Sequence, residues 1–290
     1  MPISSPFESY RSLLQGIAYR MLGSVAEAED IVQETYLKFS AANPAEIQNL
    51  RSWLVTVCSR LSLDRLKSAQ RRRETYVGPW LPEPLLTTDA TPATQLSIDD
   101  TVSTALLYTL ERLSPSERAA FILHDIFEYS FDEISEILNK TPAACRKLAS
   151  RARTHAQANK PRYETTPETH QRLIDSFFKA IKEGDFETLE QILAEDVTFI
   201  SDGGGKAIAA RKALEGIDII AKFFIGINKQ AIASNLQYTY QPTWYNGAPA
   251  LLLFEHDQAI TAFNLHVVDK RIQTIFAHRN PDKLALLKPR

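Results

Sequence analysis

The sequence predicts a mainly α N-terminal part built as two helical domains, the second a helix-turn-helix, followed by an α+β C-terminal domain. Three observations point there. Apolar residues recur with a helical period from Phe7 to about Ala69 and again from about Gln95 to Ala158. A short helical pattern, a three-residue turn and a basic helical pattern follow one another between Tyr129 and Ala158. After Pro167 the helical patterns give way to alternating, β-rich runs.

A length of 290 residues allows two or three domains. With 44% hydrophobic and 23% charged residues, the composition excludes a disordered or fibrous chain. Thirty-three basic against 35 acidic residues leave a net charge of −2, which on its own argues against a nucleic-acid partner. Local windows reverse that inference. Between Arg60 and Arg73 stand Arg60, Arg65, Lys67, Arg71, Arg72 and Arg73 against Asp64 alone. Between Cys145 and Tyr163 stand Arg146, Lys147, Arg151, Arg153, Lys160 and Arg162 with no carboxylate. The N-terminus lacks a secretory pattern and no apolar run approaches the ~18 residues of a membrane span, so a cytoplasmic protein without a membrane partner is expected. Cys58 and Cys145, far apart within helical patterns, suit buried apolar positions and offer neither a disulfide framework nor a metal knuckle. No metal and no cofactor is expected.

The boundaries read as a helical domain over 1–75, a Pro- and Thr-rich linker over 76–94, a second helical domain over 95–160 and the α+β domain over 167–290. In the first domain Ser24 and Glu27 have the spacing of a capping box. The helix they open has the apolar stripe Ala28, Ile31, Val32, Tyr36 and Phe39 and a carboxylate-rich opposite face. Such a face is either solvated or a docking surface for a basic partner. The next helix starts near Trp53 and ends in the first basic stripe, an aromatic beside cations that suits unpaired DNA as well as a packed core.

In the second domain Ser114, Pro115 and Glu117 form another capping box with proline in the first turn. A short helix around Phe131, Ile134, Ile137 and Leu138 leads to the turn Asn139-Lys140-Thr141, and Thr141 caps a helix whose packed stripe is Cys145, Leu148, Ala149, Ala152 and Ala156. Arg146, Lys147, Ser150, Arg151 and Arg153 fall largely away from that stripe. A helix so placed reads base edges with its first turns and phosphates with its later cations.

The motifs AEDIVQETYLKF and RSWLVTVCSRLSLDRL, then LSPSERAAFILHDIFEYSFDEISEIL and TPAACRKLASRARTHA, occur in the order and separation of regions two and four of the sigma-70 family. The absence of an intervening block resembles the extracytoplasmic-function class. YVGPWLPEPL in the linker, DGGGK at Asp202–Lys206 and NPDKL at Asn280–Leu284 resemble the group with a SnoaL-like C-terminal extension.

The resemblance implies that Glu27, Glu29, Asp30, Gln33 and Glu34 dock the clamp helices of the polymerase β′ subunit. It implies that Trp53, Arg60, Arg65, Lys67, Arg71, Arg72 and Arg73 melt and read the −10 element, and that the helix after Thr141 reads the −35 element, with the β flap as a further polymerase contact. Two positions depart from the family: Arg60 stands where relatives often carry Asn, and Leu148 where many carry a basic residue. Both leave the promoter sequence unassigned.

The resemblance also implies an NTF2-like, cone-shaped C-terminal domain whose sheet encloses a pocket. Tyr238, Tyr240, Trp244, His256, Phe263 and His266 are the candidates to line it, and a small-molecule ligand is left open. The cluster Gly203, Gly204 and Gly205 between Asp202 and Lys206 lacks the strand-loop-helix context of a phosphate loop. This loop, with Asn280, Pro281, Asp282 and Lys283, is expected to contact the linker residues Trp80, Leu81, Pro82, Glu83 and Pro84, or the first helical domain, and so regulate the DNA-reading domains in cis. The expected function is a non-enzymatic promoter-specificity subunit whose partners are core RNA polymerase and promoter DNA, with no dedicated anti-sigma protein required. The alternatives are a helix-turn-helix regulator with a ligand-binding tail, or an isomerase or cyclase fused to DNA-binding domains.

Overall fold

Hydroxyl side chains start four helices of the N-terminal part. In the computed structural model, which describes residues 6–86, 103–157, 165–285 and 287–288, Ser24 Oγ accepts from the Glu27 N–H at 3.2 Å and opens α2 (Val25–Ala41). Ser114 and Ser130 form complete capping boxes with Glu117 and Glu133 at α5 (Pro115–Phe121) and α6 (Phe131–Leu138). Thr141 Oγ1 accepts from the Ala144 N–H at 3.2 Å at the start of α7 (Pro142–Gln157). The remaining helices of this part are α1 (Arg11–Leu22), α3 (Leu50–Arg73) and α4 (Thr104–Leu110).

Contacts group the chain into two units. Among the described residues the first holds 6–75 and 106–157; the second holds 76–86, 103–105, 165–285 and 287–288. The linker up to Leu86 therefore packs with the C-terminal domain.

In the first unit α1, α2 and α3 pack on one another around Leu14, Ile17, Ile31, Val32, Leu54 and Cys58. The stripe of α2 ends on Thr35, whose hydroxyl donates to the Ile31 carbonyl, and Tyr36 stays 39% exposed with its ring edge-on to Phe7. In α7, Cys145, Ala149, Ala152 and Ala156 are buried as the small-residue stripe requires. Burial pushes the Cys58 thiol up to about 12, so it is an inert apolar group. Between α5 and α6 the backbone makes a π-helical turn, Ile122–Ile126, followed by Glu128 at φ 59°.

The second unit has α8 (Pro167–Glu183), α9 (Phe186–Ile192), β1 (Leu193–Asp202), β2 (Leu214–Glu215), α10 (Ile217–Ala233), β3 (Tyr238–Tyr245), β4 (Ala248–Glu255), β5 (Gln258–Val268), β6 (Arg271–His278) and α11 (Pro281–Leu284). The strands form one sheet in the order β2-β1-β6-β5-β4-β3. The expected antiparallel meander is β3 to β6, while β1 joins it in parallel with β6. The α+β class is as expected, and the sheet is open at β2 and β3 and so is not a closed barrel.

Period-two alternation divides the sheet. Leu251, Phe263, Leu265 and Ile275 face α8 and α10, where Phe177, Phe178, Phe199, Phe223, Phe224 and Phe263 pack ring on ring with centroids 5.0 to 6.2 Å apart. Each such ring taken from water contributes on the order of 2 kcal/mol. Ala250, Leu252, Phe254 and Ala262 pack in a second cluster with Tyr245, Leu284 and Leu287.

Candidate nucleic-acid and docking surfaces

The acidic residues of α2 divide by exposure. Glu29, Asp30 and Gln33 are exposed, while Glu27 and Glu34 are half-buried. Arg65 of α3 lies 3.0 Å from Glu34 and 3.8 Å from Asp30, so one cation of the basic stripe is joined to the acidic face.

Two further cations of that stripe are bonded within the same unit. Arg60 donates to the carbonyls of Glu136 and Ile137 at 2.7 and 3.3 Å, satisfying acceptors that the last turn of α6 leaves open. Arg73 pairs with Glu111 and donates to the Leu22 carbonyl at 2.7 Å. Glu111 also holds Arg118, fully buried, at 2.7 Å, and Arg118 Nε donates to the Arg20 carbonyl at 3.0 Å. Burial pushes the Arg118 guanidinium below its usual range while Glu111 opposes that shift. Gln70 adds a bond to the Leu113 carbonyl at 3.0 Å. Lys67 is exposed beside Asp64, Trp53 is half-buried against Phe39 at 6.3 Å, and the side chains of Arg71 and Arg72 lie outside the described residues.

On α7, Arg146, Lys147, Ser150 and Arg151 are exposed. Arg153 is half-buried and pairs with Asp125 of the π-helical turn at 2.5 Å. Thr154 and His155 extend the exposed face, which the sequence reading stopped short of.

The linker motif and the two C-terminal motifs meet. Asp202, at the end of β1 and fully buried, accepts from the Tyr76 hydroxyl at 2.6 Å, the Leu81 N–H at 2.8 Å, the Gly204 N–H at 3.1 Å and Lys283 Nζ at 2.6 Å. Lys283 also donates to the Leu81 carbonyl and lies over the Trp80 ring, 4.1 Å from its centroid. Asn280 donates to the Tyr76 hydroxyl at 2.9 Å. Desolvation first, then the Asp202 carboxylate, push the Tyr76 phenol above its usual range. Lys206 pairs with Asp282 at 2.5 Å, and Pro281 occupies the first turn of α11. A Cβ on Gly204, at φ 59°, would strike the Asn280 amide and the Tyr76 hydroxyl. Glycine is therefore required there by close approach.

Leu81, Pro82 and Pro84 are buried and Glu83 is half-buried. Further along, Leu85 exchanges hydrogen bonds with Asn246 at 2.7 and 2.9 Å, and Leu86 bridges to Tyr245. Tyr76 and Asn246 were missed in the sequence reading; Tyr76 stands inside the quoted linker motif, whereas nothing marks Asn246 beyond its Asn-Gly turn.

The expected pocket is rearranged. His256 lies in the exposed β4–β5 turn at φ 54° rather than in an interior. Phe263 belongs to the phenylalanine cluster, with Tyr240 6.1 Å from Phe178 at its border. Tyr238 and His266 are half-buried, and Trp244 is 36% exposed. No group of three or more His, Cys, Asp or Glu residues able to hold a metal occurs among the described residues.

An acidic helix, a basic helix and a helix-turn-helix in one unit define a DNA-binding protein built to work with a protein partner. Residues 6–72 match the model of Sigma-70 region 2, and residues 103–155 match that of Sigma-70, region 4. The ECF RNA polymerase sigma factor SigJ of Mycobacterium tuberculosis is 43% identical over 226 residues, 77% of this chain and 72% of that protein. The probable ECF RNA polymerase sigma factor SigI of the same species is 36% identical over 194 residues, 66% of this chain and 67% of that protein. The crystal structure of M. tuberculosis SigJ superposes with a TM-score of 0.77 at 33% identity, covering 96% of this chain and 97% of that one. The chain belongs to the extracytoplasmic-function family of RNA polymerase sigma factors: it binds core RNA polymerase and promoter DNA, directs transcription initiation, and is not an enzyme. Both alternatives, a regulator independent of polymerase and a fused isomerase, give way to that membership. No described helix is long and apolar enough to cross a membrane.

Proposed function

We propose that the C-terminal unit regulates this sigma factor in cis by capturing the linker between its two DNA-reading helical blocks. The supporting observation is the hub at Asp202, where the Tyr76 hydroxyl and the Leu81 N–H of the linker meet Lys283 of the NPDKL motif. A docked linker limits how far the two blocks separate, a role that lets the chain work without a separate anti-sigma protein.

In this reading Glu29, Asp30 and Gln33, with Glu27 and Glu34 behind them, dock the β′ clamp helices. Trp53 and the cations from Arg60 to Arg73 serve the −10 element, α7 serves the −35 element, and the β flap takes the second block. All of this takes place in the cytoplasm. Arg60, Arg65 and Arg73 are bonded within the first unit, so promoter engagement requires core polymerase to open it. Near-neutral net charge fits that dependence, since few phosphates are neutralised by the factor alone.

The test is run-off transcription with core polymerase, comparing the whole chain, its Asp202→Asn variant and a chain ending before Pro167. A changed output with both alterations supports regulation through the hub; output indistinguishable from the intact chain rejects it.

A further inference from the structure

The π-helical turn Ile122–Ile126 has no role in the reading above, yet it reaches two arginines of α7, Arg153 directly through Asp125 and Arg146 through Phe131 of α6. A π-turn inside a helical run is uncommon and often marks a functional position. Here it is closed by the Phe127 N–H to the Ile122 carbonyl at 3.2 Å and the Tyr129 N–H to the Leu123 carbonyl at 2.9 Å.

Two side chains of the turn matter here, His124 against Phe131 and Asp125 against α7. His124 is fixed by a hydrogen bond of 2.8 Å from Nδ1 to the Tyr129 carbonyl, so Nδ1 carries the proton, and its ring stacks on Phe131 with centroids 4.0 Å apart. Phe131 is itself fixed as the first residue of α6 by the Ser130–Glu133 capping box. The Arg146 guanidinium lies over the Phe131 ring, 5.7 Å from its centroid. The neighbouring turn residue Asp125 pairs with Arg153 at 2.5 Å.

These contacts treat the two arginines differently. Among the described residues Arg146 donates no hydrogen bond, and a ring face restricts the plane of a guanidinium without consuming one. Arg153, two turns later, spends its charge on Asp125. An arginine in the first turns of a recognition helix, held in plane, suits the bidentate acceptor pair of a guanine in the major groove.

We infer that His124 and Phe131 are positioning residues that set Arg146 to read one base of the −35 element, while Asp125 withholds Arg153 from the phosphates. The inference rests on α7 being the −35 reader. Loss of the ring face costs the ordering of one guanidinium, about a two- to five-fold effect.

The experiment uses the full chain with core polymerase and a promoter library randomised across the −35 element. Arg146→Ala identifies the position that Arg146 reads. Phe131→Leu keeps apolar bulk and is expected to flatten preference at that same position by about two- to five-fold, with Phe131→Trp restoring it. Adding Phe131→Leu to Arg146→Ala should cause no further loss, and affinity for core polymerase should not change. Flattening at every position, or additive losses in the double variant, would show Phe131 to be merely structural and overturn the inference. If Arg146→Ala leaves all −35 preferences intact, the assignment of Arg146 as a reader fails at its base. Asp125→Asn should steepen the salt dependence of promoter binding by about one phosphate contact, a logarithmic slope change near 0.9; an unchanged slope counts against the withholding role.

Discussion

Lys283 Nζ stands 2.6 Å from Asp202 Oδ2, with side chains only 7% and 0% exposed. A buried pair of this kind is costly to break from one side, because the surviving charge keeps its desolvation penalty and loses its partner. Lys283→Met should therefore destabilise the second unit by about 3 kcal/mol and release the linker. A lower urea midpoint, with faster proteolysis between Tyr76 and Leu86, is the expected result; an unchanged linker protection would show that Lys283 does not hold it.

Gly204→Ala tests the same dock from its loop. The left-handed φ of 59° costs a residue with a Cβ about 1–2 kcal/mol, and the added methyl must displace Asn280 or Tyr76. Linker protection should fall and promoter output should change, whereas Gly184→Ala, with open space around its Cβ position, should carry only the backbone cost. Equal effects of the two variants on transcription would remove the loop from regulation.

Glu111 is bonded to both Arg73 and the fully buried Arg118. Glu111→Gln leaves Arg118 largely uncompensated, at a cost of about 3 kcal/mol to the packing of α3 against α5. Hydrogen exchange in those helices should accelerate. Affinity for core polymerase should rise, since less packing remains to be undone on binding. Weaker core binding by a folded variant would contradict the opening step.

Stability of the second unit should depend on pH. Burial pushes both His170 and His278 down to about 4, so both are neutral in the folded unit. Unfolded, each titrates near ~6.5. From pH 6.5 down to 4 the unfolded chain binds protons that the folded one refuses, so stability falls as the pH is lowered and is flat above that window. The slope is about 1.4 kcal/mol per pH unit for each histidine. Urea midpoints between pH 7.5 and 5 measure it, and His278→Gln should halve the slope if it folds; His170→Gln offers the same reading from α8.

Much of the fold was written locally. Ser24, Ser114 and Thr141 announce their helices because a cap and its partner lie within four residues, and alternation locates β3 to β6 for the same reason. The linker motif and NPDKL stood out only through the family resemblance, whereas DGGGK was legible by itself, since three adjacent glycines flanked by charges have few structural uses.

Long-range pairings left no such mark. Arg118 reads as an ordinary helical cation until packing places it against the Arg20 carbonyl, 98 residues away. Arg60 reads as a DNA contact because its bond to the Glu136 carbonyl depends on the docking of α6, which no spacing within α3 encodes. The π-turn arises in Ile122–Ile126, an unremarkable stretch whose extra residue is selected by the packing of its neighbours. His256 looked like a strand residue until the turn claimed it.

The linker and its dock belong to one polypeptide, and this changes what can control them. Capture of Tyr76 and Leu81 by Asp202 is a first-order equilibrium, in which the dock sees its ligand at a fixed effective concentration set by the chain. Diluting the protein or raising its expression leaves the captured fraction the same. A regulator supplied as a second protein would be titrated away when the sigma factor outnumbers it; under the regulation in cis proposed above, the dock would be present at one copy per factor.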